Sequence, residues 1–268
     1  MPAWLRERAT NVAELMDSAD ADSATLINTY EQFHLINSVV SGWSTTYRRF
    51  IRPQLSHSHD TSLLDIGSGG GDLPLTLARW AANDGLRLEI TAIDPDARAH
   101  DFAQRQLALR HPARQQPGVG GVTFRRAFSS QLVAEGAQFD LVTSNHMLHH
   151  LSAAELGGLL FDSEKLVRAA SVRRVHLDER AARLPRVLHG DITRSALAYA
   201  GFAAGTWPFS RSLLRNSYIR ADGLTSIRRS YRPAELQGML PAGWAVLPQS
   251  MFRYLLVWHG GEGENEHV

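Results

Sequence analysis

Two groups of residues in this chain could do chemistry. The first is the glycine run Gly67, Ser68, Gly69, Gly70 and Gly71, entered from the apolar stretch "SLLDI" and followed by a helical pattern beginning near Leu73. Glycine adopts backbone angles other residues avoid and lets a ligand approach the main chain closely. Asp65 precedes the run by two residues, and Asp94 ends the stretch "RLEITAID", 27 residues after Gly67. A carboxylate at Asp65 can accept hydrogen bonds through the loop or from a ligand ammonium, and one at Asp94 can accept both hydroxyls of a ribose. A dinucleotide-binding loop would place a third glycine at position 72. Asp72 stands there instead, a poor neighbour for a pyrophosphate, so the spacing D-x-G-x-G-x-G suits an amino-acid moiety better than a phosphate. The second group is His146, His149 and His150. Imidazole, with an unperturbed pKa of ~6.5, can take a proton from an oxygen or carbon acid, which makes His149 or His150 the candidate base. In a helix the spacings of three and four would set His146 near both others on one face. That spacing could also hold a metal ion. No further ligand is evident nearby and two adjacent histidines fit awkwardly on one ion, so no metal site is expected. A structural role for the imidazoles is the competing reading.

These residues need a scaffold. Strand-like runs "SLLDIG", "RLEITAID", "VTFRRAF" and "FDLVTSN" alternate with helical patterns, which argues for a parallel sheet covered on both faces. "SAAELGGLLFDSEKLVRAA" reads as a long amphipathic helix opened by Ser152 with Glu155 three residues on, the capping-box spacing. A fifth strand could be residues 172–177 or 186–191; the second is favoured, because its final Asp leads into a new helical stretch. "WAVLPQS" and "FRYLLVW" predict a closing antiparallel hairpin. Residues 1–52 have apolar positions at helical spacing, among them Val12, Leu15, Met16, Leu26, Ile27 and Tyr30, and predict a helical cap. Pro53 and "SHSHDTS" then mark a boundary, so the chain divides into 1–52 and a core of 53–268. Within that core, residues 191–232 form an aromatic-rich insertion, and the Gly-rich polar tail 260–268 is expected to be disordered.

Composition removes options. The 268 residues contain no cysteine, which excludes disulfides, thiolate metal sites and a cysteine nucleophile. Lys165 is the single lysine against 27 arginines, and it lies in a charged helical pattern. The net charge of +1 supplies no bulk field for nucleic acid. The uncharged run Ser195–Ser210 is shorter than the roughly 20 apolar residues a bilayer crossing needs, and no signal peptide opens the sequence, so a cytoplasmic location is expected.

With "DIGSGGG", the acid of "AIDPD" and the block "FDLVTSNHMLHHL" in view, residues 61–170 resemble the class I S-adenosylmethionine (SAM)-dependent methyltransferases. That resemblance implies an α/β fold: a Rossmann-like, mostly parallel seven-stranded sheet with helices on both faces, a helical cap before it, and an inserted lid ahead of the final hairpin. It implies SAM as the cofactor. Gly67, Ser68 and Gly69 would line the methionine part and Asp94 take the ribose, Ala127 and Phe128 would flank the adenine, and Asp65, Gly71, Pro95, Asn145 and His146 would be further cofactor-binding residues. Many relatives carry an acid after the third strand for the adenine amino group; this chain has none there. "YEQFHLINSVVSGW" is loosely similar to the segment before the core in ubiquinone/menaquinone-type C-methyltransferases, which would make Tyr30, Asn37, Ser41 and Trp43 a lid. An ordinary helix pair with Tyr and Trp in the core is the alternative.

Because SAM would carry the reactive methyl, the protein would align the partners and exclude water. The insertion would choose the acceptor, with Arg228, Arg229 and Tyr231 available to a phenolate, enolate or carboxylate. Packing on the core with surface arginines, or a homodimer contact, are its other readings. The function expected is in-line methyl transfer to a small, largely apolar acceptor such as a phenol, quinol or polyketide of secondary metabolism. A nucleic-acid methyltransferase is disfavoured by the charge and by "SNHM" at the fourth strand, and a nucleotide oxidoreductase by Asp72. A non-catalytic SAM-fold binding or regulatory protein stays open.

Overall fold

In the central strands neighbouring residues are both apolar and both buried, because successive side chains point to opposite faces and each face is covered. Leu64, Ile66, Val142, Val187 and Leu256 enter one core with Leu132, Leu156 and Leu160. Leu63, Leu141, Leu188, Leu255 and Val257 enter the other with Leu73, Leu77, Phe50 and Ile51. The computed structural model describes residues 2–40, 42–110, 121–167, 179–250 and 252–260. Its sheet has seven strands in the order β3-β2-β1-β4-β5-β7-β6. The ranges are β1 Thr61–Ile66, β2 Leu88–Ile93, β3 Val122–Arg125, β4 Leu141–Asn145, β5 Val187–Ile192, β6 Trp244–Gln249 and β7 Arg253–Trp258. The first five run parallel; β7 lies antiparallel to β5, and β6 to β7.

After β3 the chain crosses back to place β4 on the other side of β1. The connections leaving β1 and β4 therefore diverge, which opens a crevice at the carboxyl ends of these two strands. Helices Asp72–Asn83, Ala97–Arg110 and Ala153–Leu166 link the strands, the last opened by the Ser152–Glu155 capping box. Strand β5, Val187–Ile192, falls on the favoured segment 186–191, shifted by one residue; the alternative, 172–177, lies outside the described residues, as do Ser41 and the tail from 261. Because β5 runs to Ile192, the insertion starts after it. Its helices Ala196–Thr206 and Ile219–Arg229 pack on each other, with Gly223 making room for the Phe202 ring. No helix among the described residues is long and apolar enough to cross a membrane.

The amino-terminal region departs from the helical expectation at Val12, Leu15 and Met16. Only a single 3-10 turn, Leu15–Asp17, forms there, and the long helix begins at Ser23 and runs to Val40. Several backbone groups of this segment are bonded to the insertion. Asp222 accepts the Leu15 and Met16 amides at 2.7 and 3.0 Å, and Arg229 donates to the Val12 carbonyl at 2.9 Å. With those groups taken by a distant helix, they are not available to an α-helical ladder.

Candidate active site

The glycine turn after β1 is left-handed three times, at Gly67 (φ 69°), Gly69 (φ 51°) and Gly71 (φ 82°). A Cβ at Gly67 would stand 2.6 Å from Met147 Sδ, and one at Gly71 2.6 Å from Phe124 Cζ, so both positions are closed to side chains twice over. Just beyond β2, Asp94 fixes this turn: its Oδ2 accepts the Gly69 amide at 2.9 Å and its Oδ1 the Asp96 amide at 2.9 Å. Burial holds the Asp94 carboxyl above the ordinary range despite those bonds. Asp65 is fully buried at the end of β1 and takes the Thr143 hydroxyl at 2.9 Å. Burial, helped by the charges of Asp72 and Asp94, pushes its carboxyl up to about 8. At neutral pH this carboxyl is mostly protonated, and a ligand cation beside it would favour its ionised form.

Across the crevice, the chain leaves β4 at Asn145 and turns at His146, whose φ of 55° is rare for a residue with a side chain. Leu148–His150 then forms a 3-10 turn. The three histidines consequently share no helical face. The His146 ring is 6.5 Å from that of His149, while the rings of His149 and His150 lie 4.2 Å apart. Arg253, buried at the start of β7, donates to His146 Nε2 and to Asn145 Oδ1, each at 2.9 Å. Burial and that guanidinium keep His146 neutral.

His149 is 2% exposed and both of its ring nitrogens are engaged. Its Nδ1–H donates to Asp191 at 3.0 Å, and Asp191 also accepts the His149 amide at 2.8 Å. Its Nε2 lies 3.2 Å from Glu14 Oε1. Burial alone would strip its proton, but Asp191 and Glu14 outweigh it and raise the imidazole to about 10. His149 is thus a held cation at neutral pH. His150 Nδ1 is 3.2 Å from Asp17 Oδ2, and its Nε2 is 3.9 Å from Glu14 Oε2. Ser226 donates to Glu14 Oε1 at 2.8 Å, and Arg229 donates to the carbonyls of His149 and His150.

One cavity of 730 Å³ takes in both regions, a volume within the usual range for small-molecule sites. Asp65, Gly67, Ser68, Gly69, Asp94 and Pro95 line it, together with Ala127, Phe128, Asn145, His146, His149, His150 and Tyr30. Gly71 supports the turn from behind. Trp43 is 2% exposed in the core, packed toward Gly190, and does not border the cavity. For Asn37 only the helical backbone is described. Arg228 and Tyr231 also lie off the cavity; the Tyr231 hydroxyl donates to the Leu151 carbonyl at 2.9 Å, and Arg8 stacks 3.5 Å over its ring.

Sequence reasoning did not find Glu14, Asp17, Asp162, Asp191, Asp222 or Arg253. Two of them left a trace. Asp191 ends a strand as Asp94 does, and Arg253 interrupts the otherwise apolar run "FRYLLVW". Asp162, on the helix Ala153–Leu166, accepts the Ser129 hydroxyl at 2.6 Å and borders the cavity with Ala127 and Phe128. It brings an acid to the place where the sequence has none.

Residues 63–169 match the family model described as "Methyltransferase domain". Among solved structures, the plantazolicin methyltransferase BpumL in complex with S-adenosylhomocysteine (SAH) is 10% identical, with a TM-score of 0.55 over 91% of this chain and 92% of that one. The DszA carbon methyltransferase is 17% identical, with a TM-score of 0.50 over 86% and 54%. Magnesium protoporphyrin IX methyltransferase from Synechocystis PCC 6803 with bound SAM is 14% identical, with a TM-score of 0.45 over 87% and 79%. No curated protein matches the chain. Residues 63–169 thus match a methyltransferase domain, and the chain shares the Rossmann-like fold of the BpumL structure. SAM is the cofactor that the sequence resemblance implies. The residues present fit that cofactor: the left-handed glycine turn leaves the backbone open to the cavity, and Asp65 and Asp94 are buried acids facing it.

Proposed function

We propose that this protein methylates a small, largely apolar acceptor bearing a phenolic, quinol or polyketide-like oxygen or carbon nucleophile, by direct in-line displacement. The observation that carries this reading is the shared cavity. It joins the glycine turn and Asp94 to the Glu14–His149–His150 cluster, with Met147, Leu159, Phe202 and Ile219 as apolar wall. Bound SAM supplies an electrophilic methyl on its sulfonium sulfur.

Asp65 and the turn at Gly67–Gly69 face the charged amino-acid part, and Asp94 receives the ribose hydroxyls. Ala127 and Phe128 enclose the adenine, with Asp162 as the acid for its amino group. Asn145 and His146, braced by Arg253, close the fourth-strand side. The apolar wall excludes water and holds the acceptor flat. Since His149 is held as a cation between Asp191 and Glu14, His150 is the imidazole left to take the acceptor's proton, its ring oriented by Asp17. Trp43, Arg228 and Tyr231 act as supports in this reading: Trp43 packs beneath β5, and Tyr231 with Arg8 steadies the turn after His150.

Calorimetry with SAM and SAH, followed by turnover on a panel of phenols, quinols, polyketides and short RNA and DNA, tests this. Binding plus turnover of a small acceptor is expected. Failure to bind either cofactor form would sink the cofactor half, turnover confined to nucleic acid would overturn the acceptor class, and binding without any turnover would make the protein a SAM-binding regulator.

A further inference from the structure

We propose that Glu14, His149 and His150 hold one divalent first-row transition-metal cation that takes the acceptor's phenolic or enolic oxygen as a further ligand. This deepens the small-molecule methyltransferase reading and rests on it.

Among the described residues, one ligand atom from each of these three side chains lies within 4.8 Å of the other two. The orientation of the rings matters more than the spacing. Both imidazoles turn Nδ1 toward a carboxylate, His149 to Asp191 at 3.0 Å and His150 to Asp17 at 3.2 Å, and both turn Nε2 toward Glu14. A histidine bonded through one nitrogen to a carboxylate, with the other nitrogen presented, is the usual arrangement of a metal ligand and its supporting shell. Here it occurs twice around one glutamate. Adjacent histidines ordinarily diverge; the 3-10 turn and the two carboxylates hold these rings 4.2 Å apart and tilted by only 37°. The Ser226 hydroxyl fixes the third ligand at Glu14 Oε1.

Charge points the same way. Glu14, Asp17 and Asp191 bring three carboxylates to two imidazoles; Arg229, Arg253 and the proton held on His149 offset them, and a bound cation would take that proton's place, releasing it to water. Two histidines and one carboxylate, with remaining positions open to a cavity, suit Zn²⁺, Fe²⁺ or Mn²⁺ used as a Lewis acid. The cation would polarise the acceptor hydroxyl, whose proton leaves to water while its electron pair stays on the nucleophilic oxygen. His150 is then a ligand, and the reaction needs no free imidazole.

The test uses the full chain treated with EDTA and dialysed, titrated with Co²⁺ and followed in the visible spectrum, with Zn²⁺ competition. The protein has no cysteine, so thiolate bands cannot confuse the signal. Expected are one saturable site per chain, visible d–d absorption, and displacement by Zn²⁺. Glu14→Gln and His150→Ala should each weaken binding at least ~100-fold, and Asp17→Asn, which leaves every ligand in place, about tenfold. A His57→Ala, His59→Ala double variant should change nothing, and thermal melts confirm that each variant is folded. No saturable site in wild type, or equal Co²⁺ affinity in folded Glu14→Gln and His150→Ala, would overturn the proposal. SAH calorimetry on the same EDTA-treated sample separates the two readings: SAH binding without a Co²⁺ site leaves the methyltransferase reading standing with His150 as base, whereas failure to bind SAH removes the reading beneath both.

Discussion

The two sides of the cavity, proposed to take cofactor and acceptor, are built by different rules. Asp65, the glycine turn, Asp94, Ala127 and Asn145 all stand at or just beyond the carboxyl ends of four parallel strands, in one run of sequence. Backbone geometry places them, and bonds from main-chain amides, such as Gly69 N–H to the Asp94 carboxylate, hold them. The acceptor side draws Glu14 from the amino-terminal segment, His149 and His150 from the turn after β4, Asp191 from β5, Ser226 from the insertion and Arg253 from β7. Side-chain bonds, most of them between distant parts of the chain, hold that side together. A binding function that every member of a fold needs can be fixed in the sheet, whereas acceptor choice is assigned to segments that can change without disturbing it.

If this contrast is right, substitutions on one side should leave the other intact. Asp94→Ala should show the largest effect: loss of two charge-assisted bonds to ribose weakens SAH binding by roughly 100-fold or more, measured by calorimetry. Glu14→Gln should do the reverse, lowering turnover about 100-fold while the SAH affinity stays within about twofold. A matching fall in SAH affinity would erase the division between the two sides.

Asp65 sharpens the comparison through pH. Its folded value of about 8 lies above the ordinary 3.8, so the native state holds a proton that the unfolded chain releases. That contribution to stability is complete below the unfolded pKa and is lost as pH rises toward 8, at up to about 1.4 kcal/mol per pH unit. Urea unfolding from pH 4 to 9 should show this decline, and Asp65→Asn should flatten it. His189 has the opposite sign. Buried between Ser144 and Ser163, it is lowered to about 3 by burial, so stability falls as pH drops below 6.5 and His189→Gln should reduce that acid loss.

Gly67→Ala should cost about 1–3 kcal/mol, from the left-handed backbone and the collision with Met147 together. Adding Met147→Ala should recover only the steric part. Asp162→Asn should have the smallest effect, a few-fold rise in the SAH dissociation constant with turnover at saturation unchanged.

The same contrast explains what could be read from the sequence. The glycine run and its acids are contiguous, and their spacing carries their geometry; six of the seven strands were plain from apolar runs and turns, and β5 was narrowed to two segments. Glu14 has no local signature, being one acid among apolar residues whose periodicity suggests a helix. Its meaning comes from His149, which only the folded chain brings near. Trp43 fits a lid or a core equally well by type, and the small residue opposite it, Gly190, decides for the core. Arg228, Arg229 and Tyr231 are acceptor-binding by type, yet Arg229 and Tyr231 serve backbone carbonyls, because the irregular turn after β4 leaves several carbonyls needing donors.

The pinning of residues 8–16 has a consequence for how the protein is made. Arg8 bonds to the Arg229 carbonyl 221 positions later, Glu14 to Ser226 across 212, and the Leu15 amide to Asp222 across 207. Chains emerge amino-terminus first and long-range contacts form last. The first four strands can be synthesised before those later partners exist, so the segment 8–16 must wait for the far end of the chain before its bonds can form. A chain released before residue 229 would lack the Arg229 donor to Val12, His149 and His150, and also β6 and β7, which complete both cores.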